Sequence, residues 1–159
     1  MIKKIFIYLS SLIILSSCGF SPIYNSSKNN NFNLEIVELS GDRDSYNLIK
    51  NNLIRNSNND ATEKYKIRIN TDYNKKSIAK DTTGKTTDYR IEMKINFLIE
   101  NAKESRKLSL YETFDYKNIN DSVELLKYEN SIKQNIANIA VEKLISQLTR
   151  LEWLQNLLK

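Results

Sequence analysis

The chain has 159 residues, which suffices for one domain and a short leader but not for two hydrophobic cores. Its 24 lysines and arginines against 19 acidic residues give a net charge of +5, well short of the basic excess of a nucleic-acid-binding protein, so we expect no nucleic-acid partner. Histidine is absent and cysteine occurs once, so we predict no metal, no cofactor, no catalytic residue and no enzymatic activity.

Residues 1–17 have the pattern of a bacterial lipoprotein signal peptide. Lys3 and Lys4 form a positive n-region, and the apolar run over residues 5–15 is shorter than the roughly 20 residues that span a bilayer. Two serines then precede Cys18, as in a lipobox, which predicts cleavage before Cys18 and acylation of its thiol. Acyl chains contribute about 0.8 kcal/mol per buried methylene, so several would hold the protein on a membrane. The alternatives are an uncleaved anchor, or a secreted protein with a chance cysteine.

The residues after the cysteine predict where the protein goes and where its domain begins. Position 19 is glycine rather than the aspartate that signals inner-membrane retention in many Gram-negative lipoproteins, so we expect the outer membrane, on its periplasmic side. Residues 18–31 are rich in Asn and Ser, which is typical of a flexible lipidated tether. We therefore assign residues 32–159 to the folded domain.

The domain begins with a strand and a helix. Apolar and polar residues alternate over residues 32–39, which predicts a strand that Gly41 ends. Asp44 or Ser45 can cap the helix that follows, and apolar residues at helical spacing continue to about Arg55.

Three alternating runs follow, over residues 65–73, 89–99 and 108–116, which predict an antiparallel meander with one face buried and one in water. A polar connection over residues 75–87 and a turn over residues 101–104 join them.

Asp121 then opens the longest helix, predicted over about residues 122–148, with Glu124 as its capping-box partner. The stripe predicted to face the sheet consists of Val123, Leu126, Ile132, Ile136, Ile139, Ala140, Leu144 and Leu148. Beyond it, the segment Trp153 to Leu158 is predicted either to cover the sheet edge or to form a docking patch. The order β-α-β-β-β-α predicts an α+β fold, with two helices packed on one face of a four-stranded, largely antiparallel sheet.

Short motifs along the domain resemble a known family. The mature start Cys18-Gly-Phe-Ser-Pro-Ile-Tyr24, the strand Tyr65-Lys-Ile-Arg-Ile69 and the Ala/Ile-rich last helix are similar to those of the LPS-assembly lipoprotein LptE family. The resemblance implies an outer-membrane lipoprotein that plugs the lumen of the β-barrel LptD, helps that barrel assemble and contacts lipopolysaccharide. The resemblance also implies that basic residues near the hairpin of residues 75–87 touch lipopolysaccharide.

The candidate lipopolysaccharide contacts are Lys80, Lys85 and Arg90, and the alternative is a solvated loop whose lysines only maintain solubility. The tyrosines of the predicted strands, at positions 65, 73 and 89, are expected to pack in the core. One or two of the other tyrosines, such as Tyr111 or Tyr128, are expected to face a partner.

Two functional hypotheses remain open. In the first, the protein plugs and helps assemble LptD. In the second, it is an auxiliary lipoprotein of phospholipid transport that binds lipid in an apolar groove between helix and sheet, or binds a transporter in the periplasm. An envelope hydrolase has no residues in this sequence to support it.

Overall fold

The computed structural model describes the backbone of residues 32–157 and the side chains of residues 32–150. The predicted α+β order is confirmed, with the elements β1 (Phe32–Gly41), α1 (Arg43–Asn56), β2 (Glu63–Lys80), β3 (Thr86–Glu100), β4 (Ser105–Lys117) and α2 (Ser122–Leu157). The predicted signal peptide, the tether with Cys18 and the side chains of Trp153 to Leu158 lie outside the described residues.

The four strands form one mixed sheet in the order β1-β2-β3-β4. β2, β3 and β4 make the predicted antiparallel meander, in which Ile69 lies opposite Phe97 and Phe97 opposite Leu108. β1 instead pairs parallel with β2, with Leu34 opposite Tyr65. A parallel pair needs a crossover connection, and α1 supplies it. The sheet is therefore largely antiparallel, with one parallel edge.

The core lies between the inner face of the sheet and the two helices. Alternate residues of each strand point inward, and at the sheet centre Ile67, Ile91, Met93 and Ile95 are 0% exposed. From the helix side, Ile49 and Leu53 of α1 and a row of small and branched residues of α2 complete this core: Ile132, Ile136, Ala137, Ala140, Val141, Leu144 and Leu148.

The predicted stripe of α2 is wrong at its start. Val123 and Leu126 are 61% and 59% exposed, whereas Ala137 and Val141, which the stripe omitted, are buried. The second half of α2 has α1 beside it, where Asn52 Nδ2 donates to Asn138 Oδ1 at 2.6 Å. The second half of α2 therefore buries side chains next to α1, such as Ala137, whereas the first turns of α2 leave Val123 and Leu126 exposed.

The predicted N-cap is wrong for α1 and confirmed for α2. α1 is capped by Asp42, not by Asp44 or Ser45: Asp42 Oδ2 accepts from Ser45 N at 2.9 Å and from Ser45 Oγ at 2.6 Å. Gly41, at φ +92°, turns the chain out of β1 so sharply that the helix starts at once. Asp121 does cap α2, since its Oδ1 accepts from the amides of residues 123 and 124 at 2.8 and 2.9 Å.

Gly41→Ala is expected to destabilise the domain far more than Gly84→Ala. Both glycines have positive φ, but a Cβ on Gly41 would lie 1.7 Å from the carbonyl oxygen of Thr71, whereas one on Gly84 would have no atom within 4 Å. We expect about 1 kcal/mol for Gly84→Ala from the left-handed conformation alone, and about 3 kcal/mol or more for Gly41→Ala. Urea denaturation followed by circular dichroism measures both, and equal losses would contradict the proposed clash.

Candidate functional site

A long hairpin projects from the end of the sheet. β2 continues to Lys80 and β3 begins at Thr86, so most of the connection predicted over residues 75–87 is strand, and only residues 81–85 form the turn. The prediction was wrong there because the polar residues of β2 beyond Asn74 lack the apolar alternation that marks a half-buried strand; the antiparallel partner keeps them extended instead. Residues 74–85 are exposed. We call residues 74–89 the hairpin arm.

The tip of the hairpin arm is held by one carboxylate. Asp81 Oδ1 accepts from Thr83 N at 2.9 Å, from Thr83 Oγ1 at 2.6 Å and from Lys85 N at 3.0 Å. The Thr83 hydroxyl, more than any other neighbour, holds the pKa of Asp81 below its usual value. Gly84 takes the positive φ of +85° that this tight turn requires. The tip therefore has a defined shape although water surrounds it.

The three predicted lipopolysaccharide contacts have different surroundings. Lys80 ends β2 and has no ion pair among the described residues. Lys85 Nζ donates to Asn120 Oδ1 at 2.9 Å, which links the arm tip to the β4–α2 connection. Arg90 lies further along β3 and makes two 2.7 Å hydrogen bonds to the Asp115 carboxylate, which raises the pKa of Arg90 and lowers that of Asp115. Only the two lysines belong to the hairpin arm.

A cluster at the root of the hairpin arm fastens it to α2. Glu129 of α2, whose side chain is 13% exposed, receives Lys75 Nζ at 2.5 Å and the Tyr116 hydroxyl at 2.6 Å on one oxygen. Lys75 Nζ also lies 4.2 Å from the ring centroid of Tyr89. Tyr89 stacks on Tyr116 at 5.7 Å between ring centroids. A carboxylate this buried needs such partners, and they fix the direction of the arm.

The sequence interpretation missed this root cluster. The sequence interpretation placed Lys75 in a polar connection. However, Lys75 lies two residues after the inward-facing Tyr73, and residues two apart in a strand share a face. This alternation could have revealed that Lys75 lies on the helix side. The core placement predicted for three tyrosines is confirmed. Tyr65 is buried, Tyr73 and Tyr89 are partly buried against the core, and Tyr111 and Tyr128 are 61% and 41% exposed.

The face of the sheet away from the helices, which we call the open face, is polar, as the alternation predicted. A hydrogen-bonded row crosses it: Asn70 Nδ2 donates to Ser40 Oγ at 2.9 Å, and Ser109 Oγ donates to Asn96 Oδ1 at 2.8 Å. Asn96 Nδ2 links the two halves through Asn70 Oδ1 at 3.4 Å. The row lies in a shallow depression.

Ion pairs join several of the charged side chains of the open face. Arg68 lies 3.5 Å from Glu38 and 3.0 Å from Glu100, and Lys76 lies 2.6 Å from Glu92. Exposed pairs of this kind contribute little to stability, typically about 0–1 kcal/mol each. Their effect is to give the open face many hydrogen-bonding groups with little net charge.

Within residues 32–150, no group of three or more His, Cys, Asp or Glu side chains is placed to hold a metal ion. Between helix and sheet, the cavity lined by Tyr65, Ile99 and Leu148 has a volume of about 10 Å³, room for roughly one water molecule. No helix in the described part of the chain combines the length and the apolar character that crossing a membrane requires.

Comparison with known proteins gives a fold. No protein-family model matches the chain, and no curated protein matches it. Among solved structures, rare lipoprotein B from Shewanella oneidensis aligns with a TM-score of 0.54 at 16% sequence identity, over 74% of this chain and 99% of that one. A candidate lipoprotein from Caulobacter crescentus CB15 aligns with a TM-score of 0.51 at 15% identity, over 77% of this chain and 90% of that one.

The domain therefore belongs to a class of small α+β folds that lipoproteins use. More particularly, it shares its fold with rare lipoprotein B, over nearly the whole of that protein's solved chain.

Two tyrosines that face the helix side of the sheet near Glu129, Tyr73 and Tyr116, predict a loss of stability at alkaline pH. Burial, and secondarily the charge of Glu129, raises the pKa of Tyr73 to about 12, and burial with the hydrogen bond to Glu129 raises that of Tyr116. A tyrosine whose pKa is higher in the folded state stabilises the fold fully below its unfolded pKa of about 10, and this contribution is lost as the pH rises towards the folded value. We therefore expect the free energy of unfolding to fall between about pH 10 and 12.

Urea denaturation at several pH values measures that slope. A Tyr73→Phe/Tyr116→Phe variant should show a shallower slope, because both titrating hydroxyls are gone, whereas Tyr111→Phe, which removes an exposed hydroxyl, should retain it. An unchanged slope in the double variant would contradict the assignment.

Proposed function

We propose that this protein is an outer-membrane lipoprotein that plugs the LptD β-barrel, helps it assemble and so serves lipopolysaccharide transport to the cell surface. The observation that carries the proposal is the match in fold to rare lipoprotein B, combined with the LptE-like residues at Cys18 to Tyr24. The fold by itself could serve many purposes. The lipobox supports attachment to a membrane, and the motif from Cys18 to Tyr24 supports a relation to the LptE family.

The open face supports docking inside a barrel. The interior of a large outer-membrane barrel is lined by polar side chains and water. A plug for such a lumen needs hydrogen-bonding groups without a large uncompensated charge, because an unpaired charge loses its hydration on docking. The polar row of Ser40, Asn70, Asn96 and Ser109, flanked by paired charges, has this character.

The hairpin arm supports the contact with lipopolysaccharide. Its tip carries Lys80 and Lys85, both exposed, on a turn whose shape Asp81 fixes. Phosphate groups of lipid A are anions that lysine binds as a point charge. Arg90 is the weakest of the three candidates, since Asp115 already occupies its guanidinium.

The phospholipid-transport alternative has less support. It requires an apolar groove between helix and sheet, and the cavity at that position, lined in part by Tyr65 and Leu148, holds about 10 Å³. An acyl chain needs many times the space of one water molecule. Elsewhere between the described helices and the sheet, buried apolar side chains form one cluster.

Co-purification tests the proposed partner. We expect the affinity-tagged full chain, solubilised from membranes in mild detergent, to bring down one large β-barrel identified by mass spectrometry as LptD. The mature polypeptide should begin at Cys18 and carry acyl chains. Depletion of the protein should leave the barrel misassembled and reduce lipopolysaccharide at the cell surface. Recovery of a transporter or of free phospholipid instead, with normal surface lipopolysaccharide after depletion, would contradict the proposal.

Charge removal at the arm tip tests the lipopolysaccharide contact. A Lys80→Gln/Lys85→Gln variant should bind purified lipopolysaccharide about 30-fold more weakly, since each lysine near an anionic lipid contributes about 1 kcal/mol. The matched control is Lys64→Gln/Lys103→Gln, which removes two exposed lysines from the opposite end of the sheet and should bind as the wild type does. Equal affinity of all three proteins in a fluorescence-displacement titration would leave the arm as a solvated loop.

A further inference from the structure

The two edges of the sheet differ in how they are closed. β1 is interrupted by a bulge between Ile36 and Glu38, and residues after α1 cover its edge: Ser57 Oγ accepts from Leu34 N at 2.8 Å, and Asn58 N donates to the Phe32 carbonyl at 3.1 Å. Bulges and covering loops are how proteins prevent an edge strand from pairing with another chain.

β4 has neither protection. It pairs with β3 over 13 residues without a register shift, and no strand of the described chain lies on its other side. Within residues 32–150, no hydrogen bond of the kind that closes the β1 edge reaches the outer edge of β4. A long, regular edge strand of this kind is a template for strand addition.

Two aromatic side chains of β4 are also uncovered. Tyr111, the middle residue of the strand, points to the open face and is 61% exposed. Phe114 has the same parity as the buried Leu108 and Tyr116, so it points to the helix side, yet it is 37% exposed. Phe114 is therefore a large apolar residue on the helix side of the sheet that the described helices leave exposed.

We propose that β4 pairs antiparallel with β4 of a second copy of this chain, about a two-fold axis at Tyr111. Side chains directly opposite each other in an antiparallel pair share a face and interact. With Tyr111 opposite itself, the strands overlap over all 13 residues, and Lys107 faces Asp115 of the copy at both ends. The two four-stranded sheets become one sheet of eight strands.

This register also sets several uncharged positions opposite each other, although Leu110 faces Glu112 of the copy. On the open face Ser109 faces Thr113 of the copy, and the two exposed Tyr111 rings face each other across the axis. On the helix side, Phe114 faces Leu108 of the copy and gains the apolar cover that its own chain does not supply. Pairs of these types favour strand pairing by about 0.2–1 kcal/mol each.

Two neighbouring registers also place the helix sides of both sheets on the same face, but their side-chain pairs are less favourable. Moving the axis to Glu112 sets Glu112 against its own copy and Lys107 against Lys117, both like-charge pairs. Moving it to Leu110 sets Lys107 against Thr113 and Leu108 against Glu112, which loses both ion pairs. Like charges directly opposite are destabilising. Of these three registers, only the one centred on Tyr111 combines ion pairs with no like-charge pair.

Cross-linking reads the register directly. In the full chain carrying Cys18→Ser in detergent, an added Tyr111→Cys is expected to form a disulfide-linked dimer on oxidation, because opposite Cα atoms of an antiparallel pair lie about 4.5–5.5 Å apart, within disulfide reach. The matched control, Thr113→Cys, should stay unlinked, since its copy lies about 13 Å away along the strand. Linkage through position 113 with none through 111 would overturn the proposed register.

Sedimentation velocity of the Cys18→Ser chain tests the association without any added thiol. We expect a dimer that dissociates on dilution. Lys107→Glu, which sets two pairs of like charges across the interface, should raise the dimer dissociation constant at least tenfold, while Lys103→Glu, the same charge change in the β3–β4 turn, should leave it unchanged. A protein that is monomeric at all concentrations, or equal dissociation constants for the two variants, would overturn the proposal.

Discussion

The structure depends on one constraint: alternate residues of the strands are apolar, so one face of the sheet must be covered. Helices do this unevenly, because a helix rises 1.5 Å per residue and a strand about 3.3 Å. The 14 residues of α1 span about 21 Å, whereas the 18 residues of β2 span about 60 Å. The sheet therefore extends beyond the end of α1, and the part of β2 and β3 that α1 does not reach forms the hairpin arm.

In the uncovered parts of the sheet, many polar groups pair with one another. The root cluster neutralises Glu129 with Lys75 and the Tyr116 hydroxyl, so a mostly buried carboxylate can hold the arm to α2. On the open face, several charged side chains form ion pairs, and the side chains of the polar row hydrogen-bond to each other. Among the described residues, two features of the sheet stand out: the exposed lysines of the arm tip, and the edge of β4, which has no strand beside it.

These two features point in different directions from the same sheet. The arm tip offers positive charge on a fixed turn, which suits an anionic lipid head group. The β4 edge offers backbone and matched side chains, which suit another strand. Arg90 belongs to the second feature, since its partner Asp115 is the residue that would meet Lys107 of a second copy.

The sequence by itself determined the strands of the meander, the element order, the wet and buried faces and the cap at Asp121, because period and capping are properties of a segment and its immediate neighbours. Only the tertiary structure decided the parallel pairing of β1, the length of the hairpin arm, the burial of Ala137 beside α1 and the partnership of Lys75 with Glu129. Those outcomes join residues far apart in the chain. A local pattern states which face a residue occupies, but packing decides what lies opposite it.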